Sequence, residues 1–320
     1  MVLGMDRGKQ AVFSLWPGFV LGLVFWLTGP IQPASADTSP RVVIVLSDSA
    51  LPYHQVADAF IAALAGKYPV QVKVLGEMRE SEIKALNSEK VLIVPVGVRA
   101  LHTVHGDSRH DAQILSLLVP RAALLLLNDG GVDDAAVYLD QTPARSLAFA
   151  RLLVPNAKRV GIIMSKEAAM GLRAFVAEAV RAKLEVVTNT VQEQNDVPSA
   201  LQTLLPQIDV LLLVPDSLVV NESTVRQILM ASYRRRVPVI GFSRGLTNAG
   251  AVASLVSGLE EIGRQGGLLA RQWNPVAGTL PAARYPGQFE MTFNRQVARS
   301  LDITLPIDEQ ELAAWREKLE

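Results

Sequence analysis

Cysteine is absent from all 320 residues, which removes thiol nucleophiles, disulfides, cysteine-ligated zinc and a lipidated N-terminal cysteine from consideration. Net charge is absent too. Thirty-one Lys and Arg face 31 Asp and Glu, so no overall field gathers nucleic acid or anionic lipid. Histidine is scarce: His54, His102, His105 and His110 are the whole complement. No glycine-rich phosphate loop is present, since Gly66-Lys67 lacks both the upstream glycine and the following Ser or Thr of a P-loop. Aromatic residues are only 6% of the chain, and Trp273 and Trp315, towards its C-terminal end, read as packing residues. Aliphatic residues are plentiful. The chain is 49% hydrophobic and 19% charged, which suits a large core in two domains and argues against disorder.

Residues 1–36 read as an export address. Arg7 and Lys9 precede an uncharged apolar run from Ala11 to Thr28, Gly29-Pro30 breaks it, and Ala34-Ser35-Ala36 has the small-x-small form of a signal-peptidase site. The run is close to spanning length, so a retained anchor is the alternative. Cleavage predicts a mature chain that begins at Asp37, carries a net charge of about −1 and lies in the periplasm.

Beyond this segment, short β-rich runs alternate with amphipathic stretches. Val42–Leu46, Val70–Leu75, Val91–Val96 and Ala122–Leu127 read as strands. They are almost continuously apolar, the pattern of a parallel sheet covered on both faces. After Asn128-Asp129-Gly130-Gly131 the alternation restarts. Arg145–Leu153 is helical, Val160–Met164, Leu184–Thr188, Val210–Val214 and Val237–Ile240 are strands, and Leu172, Phe175, Val176, Ala179 and Val180 make one helical face. Asn221 reads as an N-cap, and Arg234-Arg235-Arg236 as cations at a helix C-terminus rather than an anion site. Asn274–Gly287 reads as a crossing linker, Phe289–Phe293 as a short strand and Leu312–Leu319 as a solvated terminal helix. Two such βα arrays predict an α/β protein of two Rossmann-like, doubly wound lobes.

Gly241-Phe242-Ser243-Arg244-Gly245 matches the nucleophile elbow of a serine hydrolase. That fold needs a histidine after the serine, and none follows Ser243. His102, His105 and His110, with Asp107 and Asp111, have donor chemistry for zinc or copper. They surround a Gly106-Asp107-Ser108 turn, so a polar surface loop is the simpler reading, and neither metal nor cofactor is expected.

Several segments, taken in order, resemble one family. They are Tyr138-Leu139-Asp140-Gln141, Leu152 through Gly161, Pro215-Asp216-Ser217, Gly241 through Leu246, Gly250 through Ala253, Ile262-Gly263-Arg264-Gln265, Tyr285-Pro286 with Phe289, and Asn294 through Pro306. Together they resemble the periplasmic substrate-binding proteins of ABC transporters, in the tryptophan- or aromatic-amino-acid-binding group. The resemblance implies a type I periplasmic binding fold with a hinge of three crossovers. Lobe 1 would hold residues 37–140 and about 255–280, lobe 2 residues 141–254 and about 286–306, and the terminal helix residues 307–320. It implies a non-enzymatic, monomeric component of an import system that binds a small solute between the lobes and meets an inner-membrane permease.

The expected ligand contacts are Ser47 and Ser49 after the first strand, Val98 after the third, Asn128 after the fourth, and Ser165, Asp216, Ser217 and Ser243 in lobe 2. Each also suits a helix cap or turn. Ser165, Ser217, Leu255, Val256 and Gly258 stand where relatives carry more polar or aromatic groups. A partly apolar ligand with one cationic group on Asp216 is therefore expected, with Arg244 the candidate cation. A protein of the same fold that binds no ligand and docks on a membrane receptor is the alternative.

Overall fold

The computed structural model describes residues 39–86, 90–106, 112–127 and 135–320. The first segment runs through β1 (Arg41–Leu46), α1 (Leu51–Leu64), β2 (Val70–Val74) and α2 (Glu80–Lys84). It continues through β3 (Val91–Val96), α3 (Val98–Gly106), β4 (Gln113–Val119), α4 (Arg121–Leu127) and β5 (Ala135–Tyr138). These strands form one parallel sheet in the order β2-β1-β3-β4-β5. β1 and β3 bury almost every side chain, because helices cover both faces.

The second sheet is built from α5 (Pro143–Leu153), β6 (Arg159–Ser165), α6 (Leu172–Arg181), β7 (Glu185–Val191), α7 (Val197–Leu204), β8 (Val210–Leu212), α8 (Val225–Arg234), β9 (Val239–Gly241), α9 (Arg244–Ala249) and β10 (Ala253–Val256). The chain then returns to the first lobe as α10 (Leu259–Ala270), which packs on α1 and β4. It crosses once more into β11 (Glu290–Phe293), α11 (Arg295–Ser300) and α12 (Glu309–Glu317). The strand order is β11-β10-β9-β8-β6-β7, and only β11 is antiparallel. The molecule is thus two doubly wound lobes joined by three crossings, with the C-terminal strand ends of the sheets turned towards those crossings. β10 lies in the second sheet, so Leu255 and Val256 belong with lobe 2 rather than lobe 1.

Two expectations change. Ala122–Leu127 is not a strand but most of helix α4, and the fourth strand is Gln113–Val119. A short apolar run has no periodicity to separate the two, and here Pro120 precedes a stretch of Ala and Leu, which favours a helix. The terminal helix, expected as a solvated cap, has no fully buried residue of its own but packs one edge on the core through Leu312 and Trp315. Trp315 packs edge-on to Phe149 and Phe293, with ring centroids 6.4 and 6.1 Å away, and Leu319 is buried. Asn128 and the expected export segment 1–36 lie outside the described residues. Among the described residues, no helix is long and apolar enough to cross a membrane.

α10 approaches α1 very closely. A Cβ on Gly267 would lie 2.5 Å from the Phe60 carbonyl oxygen and 2.7 Å from Ala63 Cβ. One on Gly263 would overlap the Val56 carbonyl oxygen and sit 2.8 Å from Ala59 Cβ. Small residues on both helices therefore set the distance between them, and the return of the chain to lobe 1 depends on it.

Candidate functional site

Among the described residues, the expected contacts lie near the C-terminal ends of strands, but local backbone engages most of their polar atoms; Asn128, expected after the fourth strand, instead follows helix α4 in the sequence and lies outside the described residues. Ser47 is buried, and its Oγ accepts from Ala100 N at 2.9 Å, capping α3. Neighbouring Gly97 has φ +91°, and a Cβ there would meet Ser47 Oγ and Tyr53 Cε1 at 2.7 Å, so only glycine fits. Ser49 is exposed, and Val98 is the half-buried first residue of α3. Ser165 Oγ accepts from Ala168 N at 3.1 Å, and Ser243 Oγ accepts from Leu246 N at 3.3 Å as the N-cap of α9. That cap, rather than a nucleophile, is the observed role of the serine in the elbow-like motif.

Asp216 is tied down on both oxygens. Oδ2 accepts from Ser165 N at 2.6 Å, and Oδ1 accepts from Leu218 N at 3.0 Å and Val219 N at 3.4 Å. Asp216 and Ser165 are thus brought together, as a brace between β6 and the loop after β8. Ser217 beside them is exposed. Arg244, the expected cation, pairs with Glu290 of β11. Asp216→Ala is accordingly expected to lower stability by about 1–3 kcal/mol, the scale of leaving partly buried amides unpaired. Chemical denaturation reads that loss; an unchanged midpoint would show the brace to be idle.

The hollows between the lobes are lined by other residues. One is bounded by Gln141, Phe175, Pro215, Phe242 and Leu255, and the other by Arg121, Met164, Ala168, Phe175 and Tyr285. Asp140 lines both. It follows β5 at the first crossing, and its Oδ2 accepts from Arg121 N at 2.7 Å, the first amide of α4. A helix N-terminus favours a carboxylate. Burial nevertheless dominates and pushes the Asp140 carboxyl up to about 6, against the opposing pull of the Arg121 amide and guanidinium. Tyr138 and Tyr285 meet edge-to-face at 5.1 Å beside it. Burial raises both phenols, Tyr285 to about 12, so both stay protonated and can donate hydrogen bonds.

The hollows measure about 20 and 30 Å³, room for one or two water molecules each. Anything larger requires the lobes to part. α4 and the 3-10 turn Ala168–Gly171 touch across the mouth, so these are the elements that would separate.

The sequence resemblance singles out Tyr138-Leu139-Asp140-Gln141 but gives Asp140 no place in the cleft, and Phe242 enters there only as a neighbour of Ser243. The usable signal was a carboxylate directly after an apolar strand at a crossing. His102 and His105 lie on α3, whereas Asp107, His110 and Asp111 lie outside the described residues. Among the described residues, no three His, Asp or Glu side chains gather as a metal site.

A family model described as ABC transporter substrate binding protein matches residues 131–312, more than half of the chain. A curated relative, a tyrosine-binding protein of Clostridioides difficile (strain R20291), is 24% identical over 179 residues, covering 54% of this chain. The match spans about half the length of that relative (50%). Among solved structures, the ABC domain in complex with L-Trp from Streptococcus pneumonia superposes with a TM-score of 0.62 at 17% identity, covering 86% of this chain and 98% of that one. A ligand-free, open substrate-binding protein with adhesive properties from Clostridium difficile gives 0.62 at 17%, covering 84% and 97%. At these identities the two structures share the fold.

Proposed function

The chain belongs to the family of ABC transporter substrate binding proteins, and from that premise we propose that it captures a small amino acid with an apolar or aromatic side chain between its lobes. The observation that carries this reading is Asp140, the one carboxylate among the described residues that line the two hollows, set beside Phe175, Phe242, Tyr285, Met164 and Pro215, with Arg121, Gln141 and Ser146 as the other polar side chains there. An ammonium group is the natural partner of a half-buried carboxylate, and aromatic walls suit a flat apolar side chain. Arg121 lines the same hollow as Asp140 and is the cation that would meet the ligand carboxylate. The relatives that bind tyrosine and L-Trp support the same ligand class. In this reading residues 1–36 export the chain to the periplasm, and the loaded monomer hands its ligand to a membrane permease.

Thermal melts of residues 37–320 with millimolar amino acids test the proposal. Tyrosine, tryptophan or phenylalanine should raise the melting temperature, since a ligand at a hundred times its Kd adds about 2.7 kcal/mol to folding. N-acetyltyrosine, which lacks the ammonium, should not. If no amino acid shifts the melt, the reading fails, and a ligand-free docking role on the same fold takes its place.

A further inference from the structure

Each of the three crossings is anchored closely on both sides. In the first, Leu139 N donates to Val119 O at 2.9 Å and Asp140 accepts from Arg121 N, both in lobe 1, while Thr142 already caps α5 in lobe 2. In the second, Val256 ends β10 and Gly258 is the N-cap of α10. In the third, Arg284 bridges to β5, with Arg284 N donating to Ala136 O at 2.9 Å and Tyr138 N donating to Arg284 O at 3.0 Å.

A side-chain lattice links these crossings, mostly on the lobe 2 side, with one bond to Leu139 in lobe 1. Buried Gln141 donates from Nε2 to Ser257 Oγ at 2.7 Å, and Ser257 Oγ donates to Leu139 O at 2.7 Å. Arg145 Nη1 donates to Gln141 Oε1 at 2.6 Å and to Pro286 O at 3.3 Å, and Nε donates to Leu319 O at 3.0 Å. Its guanidinium lies 4.4 Å over the Phe289 ring. One half-buried cation therefore touches the first crossing, the third crossing and the segment after α12, and reaches the second crossing through Gln141. Burial draws Arg145 below the usual arginine value, with the Glu320 charge acting the other way. A planar fork with several fixed acceptors resists bending in a way a flexible ammonium does not.

We propose that Arg145 and Gln141 are positioning residues for ligand capture, binding the lobe 2 ends of all three crossings and the C-terminal segment into one rigid root. The lobes then swing at Asp140–Gln141, Ser257–Gly258 and Tyr285–Pro286, and the Ser257–Leu139 bond is the one member of the lattice that reaches across a pivot into lobe 1. Few residues absorb the change, as in other hinges. Gln141 also lines both cleft hollows, so the pivot and the binding surface share a residue. The inference rests on the reading that the lobes part for a ligand, but the motion can be measured without one.

The absence of native cysteine makes that measurement direct. Exposed Asp58 on α1 and Arg226 on α8, each changed to Cys, carry a donor and acceptor dye, one per lobe. Single-molecule energy transfer on the ligand-free protein reports the interlobe distance. Arg145→Met should broaden the distribution and change the closed-to-open ratio about tenfold, the scale of losing one charge-assisted hydrogen bond. Arg145→Lys, which keeps charge without the fork, should fall between. Gln141→Met removes the contacts to Arg145 and Ser257 while leaving the Ser257–Leu139 bond in place, and should shift the ratio in the same direction as Arg145→Met, which covers the case of a misfolded Arg145 variant. A lowered melting temperature with an unchanged distance distribution in the folded variants would reduce the lattice to ordinary packing and overturn the proposal. A failed amino-acid screen would leave this result untouched.

Discussion

Gly263→Ala is expected to cost about 3 kcal/mol or more, and Gly263→Val to prevent lobe 1 from folding as a unit. The added Cβ would overlap the Val56 carbonyl oxygen of α1, and backbone cannot move aside as a flexible side chain can. Helix α10 would have to lift from α1, exposing Phe60, Leu64, Ile262 and Leu269, all of which are buried between these elements and the sheet. Gly267→Ala should behave alike, through Phe60 O and Ala63 Cβ. Gly245→Ala is the control. It lies in α9, where an added Cβ would meet nothing nearer than Ser243 Oγ at 3.7 Å, so replacing this glycine should be neutral or stabilising by up to about 1 kcal/mol. Thermal and denaturant melts decide. A Gly263→Ala midpoint equal to that of Gly245→Ala would mean that α10 does not sit where it is placed.

Asp140→Asn is expected to weaken binding of an amino-acid ligand about 10- to 150-fold, the loss of a charge-assisted hydrogen bond of about 1.5–3 kcal/mol. Its pH profile distinguishes this from a packing defect. With the carboxyl titrating at about 6, parent affinity should rise between pH 5 and 7 as Asp140 ionises, while the Asn variant stays flat. The stability of the unliganded protein should move the opposite way. The folded pKa lies above the ordinary value of 3.8, so the contribution of the neutral carboxyl is complete below about pH 4 and is lost as pH rises through 6. Asp140→Asn removes that slope. Calorimetry with tyrosine or tryptophan at pH 5, 6 and 7 measures the affinity. Equal affinities for parent and variant, or a parent affinity that falls as pH rises, would take Asp140 out of the site.

Local information was enough for most elements of the fold. Val42–Leu46 and Val91–Val96 are apolar on both faces and rich in Val and Ile, the composition of a strand covered by helices on each side. The helical face of Leu172, Phe175 and Ala179 shows in its spacing alone. Ala122–Leu127 did not, because a six-residue apolar run satisfies either period and only the neighbouring sheet decides between them. The site was legible as a place rather than as atoms. Ser47, Ser165, Asp216 and Ser243 stand at strand ends, as the doubly wound pattern requires, but whether a hydroxyl or carboxylate faces the cleft or caps its own turn depends on which amides the chain leaves unpaired beside it.

Tertiary structure alone made Asp140 distinctive. In the sequence it is an ordinary hinge aspartate. Its raised pKa comes from burial, with residues of α4, of lobe 2 and Tyr285 lining the hollows beside it, and it prevails over the opposing pull of Arg121. The same holds for Arg145, whose partners Gln141, Pro286, Phe289 and Leu319 span most of the second half of the molecule. Side-chain period and turn chemistry act over a few residues and can be read along the chain. Desolvation and multi-partner hydrogen bonding depend on what distant segments place around a group, and only the packed lobes determine that.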